Sequence, residues 1–159
     1  MTDATFQDGA EGPLRLLAFE ADDLEVISSL VQDAVFPGAE MAWRPKERRF
    51  AILLNRFRWE DASAAERRQR PYERVQAVLA VETALKVRSQ GVDRRDGEVI
   101  LSLLAVGYTQ GADGSGGCVE LPLAGDGVIA VDVEALEVIL RDVTRPYAAP
   151  SRARPDHSD

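Results

Sequence analysis

Residues 41–59 read MAWRPKERRFAILLNRFRW, and the alternation of their apolar residues decides what kind of fold this chain can make. Phe50, Ile52 and Leu54 fall on one parity, the two-residue period of a strand with one face on a core. The runs Met41 to Arg44 and Arg49 to Trp59 flank Pro45-Lys46-Glu47-Arg48. A polar turn opened by proline between two such runs is the signature of a hairpin. Phe57 and Trp59 sit on the other parity, so an inserted residue, a bulge or bend, is expected near Asn55 or Arg56.

Toward the N-terminus, Leu14 to Phe19 is short and apolar enough for a buried strand. Asp22 followed by Glu25 gives the spacing of a capping box, and Leu24, Ile27, Leu30, Val31 and Ala34 then share one helical face until Pro37-Gly38. Toward the C-terminus, 61–71 is charged and lacks an apolar face, so it reads as a loop or a short solvated helix. Val75, Ala77, Leu79 and Val81 restore the strand period, which continues in Leu85 and Val87 after a break at Glu82 to Ala84. Residues 99–106 are apolar on both parities, the pattern of a strand covered on both faces at the centre of a fold. Strands at 119–123 and 128–131 flank the tight turn 124–127, with Pro122 expected at an edge or bulge. A second helix is expected from Asp132, an N-cap residue, with Leu136, Ile139, Leu140 and Val143 on one stripe before Pro146.

These readings give an α+β domain over 13–145: about eight strands in an antiparallel sheet or partly open barrel, with two packed helices. The order of strands followed by a C-terminal helix also resembles a pleckstrin-homology-like barrel, a likeness that confers no function. Residues 1–12 and 146–159 are polar and read as flexible ends.

Composition narrows the chemistry. The chain has 159 residues, 27 acids against 19 bases, and a formal net charge of −8. Its one histidine, His157, lies in the C-terminal tail, so Ser-His-Asp, Cys-His and histidine-based metal chemistry are not expected. A single cysteine, Cys118, cannot form an internal disulfide and opens an apolar strand, where it reads as a small buried residue. The loop 111–117 is glycine-rich but leads into a strand and lacks the following Lys-Ser or Lys-Thr of a phosphate cradle. The pairs Asp22-Asp23 and Asp93/Asp96 stand at a cap and in a turn, where aspartate belongs for local reasons. No cofactor is expected. A membrane span needs about 18 consecutive apolar residues, and the longest run, 99–107, is half that and broken by Ser102. The first twelve residues carry three acids and no Lys or Arg, the reverse of a signal peptide's start, so a cytoplasmic location is expected.

The charge is unevenly placed. Residues 44–88 hold twelve bases against six acids, while 1–43 hold one base and nine acids and 89–159 six bases and twelve acids. If Leu79, Val81, Leu85 and Val87 face the core, then Arg74, Lys86 and Arg88 face outward, and Arg56 and Arg58 oppose Phe57 and Trp59. Arg44, Lys46, Arg48 and Arg49 crowd the hairpin turn. Cations gathered on a sheet face suit a phosphate or carboxylate. Against this, exposed cations also pair with surface acids and blunt sheet edges. The expected site is therefore Arg44, Lys46, Arg48, Arg49, Arg56, Arg58, Arg74 and Arg88. Its expected partner is an acidic protein, an anionic metabolite or a second copy of this chain. Nucleic acid is disfavoured by the acidic balance elsewhere and a pI near 4.7, although Trp43, Phe57, Trp59 and Tyr72 would suit base stacking. Large aromatics are mostly buried, and Phe57 and Trp59 are read as core. The function expected is a non-enzymatic binding or interaction module. The alternative is an enzyme using carboxylate or Lys chemistry on a small anionic metabolite, which requires a deep pocket holding such a group with a displaced pKa.

The segments 14–35 (LRLLAFEADDLEVISSLVQDAV), 41–60, 99–106 and 119–143 resemble an alphaproteobacterial family known as domain of unknown function 2948. The hairpin Pro45-Lys46-Glu47-Arg48-Arg49-Phe50 followed by Asn55-Arg56-Phe57 and Trp59 is the most specific part. The resemblance covers nearly the whole folded body and implies no activity, cofactor or catalytic residue.

Overall fold

The computed structural model describes residues 13–92, 96–150 and 154–155. In chain order the elements are β1 (Arg15–Ala18), α1 (Ala21–Val31), β2 (Ala34–Pro37), β3 (Met41–Arg44), β4 (Arg49–Phe57), α2 (Ala62–Arg67), β5 (Glu73–Val81), β6 (Ala84–Gln90), β7 (Ile100–Leu103), β8 (Gly107–Gln110), β9 (Gly117–Pro122), β10 (Val128–Val133), β11 (Val138–Asp142) and β12 (Tyr147–Ala148). The fold is α+β, mostly antiparallel sheet. An eight-stranded sheet runs β1-β11-β5-β4-β2-β7, with β3 beside β4 and β12 beside β5, and a four-stranded sheet runs β6-β10-β9-β8.

Of the chain's four passages between the sheets, two are short bends that bond to each other. β5 passes into β6 through Glu82 and Thr83, and β10 passes into β11 through 134–137. Thr83 has a left-handed backbone (φ 53°), an unusual state for a β-branched residue. Its hydroxyl donates to Ala135 O (2.7 Å) and accepts from Ala135 N (3.2 Å), while Glu134 N donates to Thr83 O (3.0 Å). Across the fold, β7 meets the end of β9 through a single Leu103–Leu123 bridge. The sheets remain two and do not close into a barrel. Between them lies the core: Leu54, Leu79 and Leu140 from the larger sheet, Val119, Leu121 and Val131 from the smaller, and Leu24, Ile27 and Leu30 from the apolar stripe of α1.

Several expectations change. The stretch from Asp132 is strand rather than helix: Asp132 lies within β10 and pairs with Cys118, and Val138 and Leu140 are buried at the two-residue period of β11. The second helix is the short α2, in the segment read as charged loop. With strand in place of a C-terminal helix, the likeness to a pleckstrin-homology-like barrel loses its closing element. The first helix begins at Ala21 with Glu20 at the N-cap and no side-chain cap, leaving Asp22 and Asp23 in the first turn, where the helix dipole favours acids. It ends at Val31, and Ala34 belongs to β2. Residues 99–106 are not the centre, since β7 flanks the larger sheet and Ile100 is 63% exposed. Pro122 closes β9, whose neighbours are β8 and β10. Of the ends expected to be flexible, 1–12 lie outside the described residues, as does His157, while Tyr147 and Ala148 pair with Arg74 and Glu73. No helix among the described residues is long and apolar enough to cross a membrane.

Candidate functional site

The bulge expected near Asn55 is absent, because β4 pairs with β5 in unbroken register from Phe50–Val81 to Phe57–Arg74. Arg56 instead continues the inward parity of Phe50, Ile52 and Leu54 and is fully buried. Its Nε donates to Asp142 Oδ1 (3.0 Å) and its Nη2 to Asp142 Oδ2 (3.0 Å) and Glu60 Oε2 (2.7 Å). Nη1 donates to Glu60 Oε1 (2.9 Å). Burial works against the charge, but the two carboxylates outweigh it and hold the guanidinium's pKa above its ordinary value. Asp142 Oδ2 also accepts from Leu14 N (3.1 Å), tying β11 to the start of the fold.

Beside this group, Arg58 pairs with Glu73 and lies 3.8 Å from Asp61, which Arg70 grips with two hydrogen bonds of 2.6 and 2.7 Å. Phe57, Trp59 and Tyr72 pack edge-on or tilted around it, with ring centroids 4.7 and 5.4 Å apart. Phe57 is buried and Trp59 packs against the core, as expected. The cluster pairs its charges internally, with Arg58 Nε 3.8 Å from Glu60 rather than hydrogen-bonded, and it is structural. It removes Arg56 and Arg58 from the expected binding surface, because two charges inside the protein with this many partners cannot also meet a ligand.

The remaining expected cations lie in three places. Arg74 is half-buried on the outer face of the larger sheet, where it donates to the Asn55 side chain and to Asn55 O (3.1 Å). Arg88 is exposed on the outer face of the smaller sheet and pairs with Asp132 (2.7 Å). Arg44, Lys46, Arg48 and Arg49 come together at the β3–β4 turn. All four are exposed. Arg48 pairs with Glu134, Arg49 with Glu82 (2.7 Å), and Arg44 lies 4.0 Å from Glu47. The Arg44 and Arg48 pairs are water-facing and worth little, so an incoming carboxylate exchanges with them at small cost, whereas the Glu82 side chain is only 13% exposed and holds Arg49 with two hydrogen bonds.

One register step from Arg44 and Arg49, Trp43 pairs with Phe50. These two rings help line a cleft of about 200 Å³ with Gly38, Met41, Val87, Ser89, Val92 and Ile129. The cleft opens between β3 and β6, the flanking strands of the two sheets, and among the described residues its walls hold neither carboxylate nor amine. The expected site did not include it. Its apolar residues come from strands 40 residues apart and read individually as core; the one local hint was Trp43 on a strand next to a cationic turn.

The lone thiol of Cys118 is half-buried, and burial followed by Asp132 and Glu120 pushes its pKa up against the opposing charge of Arg88, the reverse of an activated nucleophile. Among the described residues no cluster of His, Cys, Asp and Glu could hold a metal ion.

The fold and site define an α+β protein of two antiparallel sheets with a buried arginine cluster and an apolar cleft beside a basic turn. The family described as a protein of unknown function, DUF2948, matches residues 14–157, and the chain belongs to it. No curated protein and no solved structure matches the chain.

Proposed function

We propose that this protein is a non-enzymatic binding module whose cleft takes an apolar or aromatic side chain of an acidic partner while Arg44, Lys46, Arg48 and Arg49 take its carboxylates. The observation that carries the reading is that the hairpin whose Trp43–Phe50 pair lines the cleft runs directly into the basic turn, with Lys46 and Arg48 in the turn itself and Arg44 and Arg49 on the opposite face of its last strand pair. An apolar pocket with a basic turn at one end binds an anchor that is apolar at its tip and acidic on one flank, the pocket giving affinity and the charges orientation and encounter rate. The expected basic surface thus contracts to its hairpin part, with Arg88 and Lys86 outside it on the other sheet face. The alternative reading, enzyme chemistry on a small anionic metabolite, calls for a carboxylate or amine in the pocket, and the described residues of the cleft supply neither. The reading takes the protein to work in the cytoplasm, where a single reduced cysteine is at home.

The test is calorimetric titration with a synthetic acidic peptide carrying one central Phe. Binding is expected that weakens with salt, disappears when the peptide's Phe is replaced by Ala, and is lost in Lys46→Glu and in Ser89→Phe, which fills the cleft. Equal binding of the Phe and Ala peptides, or none, overturns the reading.

A further inference from the structure

The surface of the protein itself carries an anchor of this kind. Phe19 follows β1 and is 57% exposed, the most exposed aromatic ring among the described residues. A large apolar side chain held in water is the informative exception on a surface. Glu20, Asp22, Asp23 and Glu25 follow it, all exposed, and no Lys or Arg occurs from Leu16 to Val31. One part of the surface therefore offers an aromatic ring among carboxylates, and another offers an apolar cleft with a basic turn at its end. The two adjoin: Phe19 and Glu20 line an open groove with Leu136 and Glu134, and Glu134 is the ion-pair partner of Arg48 in the basic turn.

We infer that the partner in the cleft is a second copy of this chain, entering with Phe19 and the first turn of α1; the inference rests on the binding reading above. The hairpin turn carries four cations against Glu47, Glu82 and Glu134, an excess of one positive charge, and the Phe19 segment carries four carboxylates without a cation, so the facing charges are opposite in sign. Because both surfaces lie side by side on each copy, one two-fold axis lets each Phe19 enter the other's cleft, and the assembly closes at two. The Glu134–Arg48 contact exchanges for contacts between copies, which accounts for an exposed, water-facing pair at the junction of the two surfaces.

Sedimentation equilibrium on the full chain tests this. Wild type is expected to be a dimer whose dissociation constant rises by at least about tenfold from low to high salt, as contacts between exposed charges are screened. Phe19→Asp is expected to be a monomer with an unchanged circular dichroism spectrum, since that side chain is in water. Asp22→Lys/Asp23→Lys and Arg44→Glu/Lys46→Glu are each expected to be monomeric alone and to form a one-to-one dimer when mixed, because each then offers the charge the other has lost. A monomeric wild type overturns the inference, as does a dimer that survives both Phe19→Asp and high salt. The acidic Phe peptide is titrated into monomeric Phe19→Asp in parallel. If it binds there while wild type stays monomeric, the partner is another protein and the binding reading stands. If it does not bind, the binding reading falls too.

Discussion

Arg56 occupies a position that alternation along β4 assigns to an apolar side chain. The sequence reading met the conflict as a change of parity between Leu54 and Phe57 and resolved it with a bulge. The structure resolves it by burying the guanidinium and bringing two carboxylates to it. Nothing local announces Asp142, which is 86 residues away, although Glu60 at i+4 is a visible partner. Replacing Arg56 by Ala leaves Glu60 and Asp142 buried without their cation, a loss that typically costs about 3–5 kcal/mol. Chemical denaturation is expected to show that loss, whereas Arg44→Ala, an exposed change, is expected to stay within about 0.5 kcal/mol. Asp61 makes a pH prediction. Its carboxyl lies below the ordinary value, first because Arg70 donates two hydrogen bonds, with burial opposing and the charge of Arg58 assisting. A carboxyl lowered in the folded state adds stability that is complete above its unfolded value of about 3.9 and is lost as pH falls from there through the folded value. The denaturation midpoint is therefore expected to fall below about pH 4, and Arg70→Met, less stable at neutral pH, to lose less on acidification. An equally steep acid loss in that variant contradicts the assignment.

At the scale of elements, hairpins were legible and one helix was not. The 41–59 hairpin, the 124–127 turn and the strand at 73–81 follow from alternation and turn chemistry, whereas in 84–90 Leu85, expected on the core face with Val87, is 51% exposed because the pairing with β10 skips it. The stretch 132–143 misled because Leu136, Ile139, Leu140 and Val143 fit a helical stripe while Val138 and Leu140 fit a strand. Short apolar runs satisfy both periods, and tertiary pairing with β1 and β5 decides. The bend at Thr83 was visible as a break in period, but the hydroxyl that fixes it to Ala135 was not. Thr83→Val keeps the shape and removes both hydrogen bonds. It is expected to lower stability by about 1–3 kcal/mol by thermal denaturation, since two backbone groups of Ala135 lose their partner. Thr83→Gly also loses the hydroxyl but relieves the left-handed backbone, and so is expected to cost less.

At the scale of the whole molecule, the charge profile was legible and its use was only partly so. Linear counting marked 44–88 as a basic island, yet Arg56, Arg58 and Arg70 are spent on internal carboxylates, and Arg88 faces away on another sheet. What remains exposed and basic is the hairpin turn together with Arg67 and Arg68 at the end of α2, and what makes the turn a site is the cleft beside it, which exists only because two sheets bring Trp43 and Val87 to facing strands. The account stands on that juxtaposition. The most direct measurement is a backbone and indole amide map of the Phe19→Asp chain titrated with the acidic Phe peptide. The account predicts shifts at Met41, Trp43, Val87, Ser89 and the 44–49 turn, with Arg56, Asp142 and the outer-face Arg74 unmoved. Shifts centred on Arg74, Asn55 and Tyr147, or on Arg88 and Asp132, with the cleft silent, would contradict it.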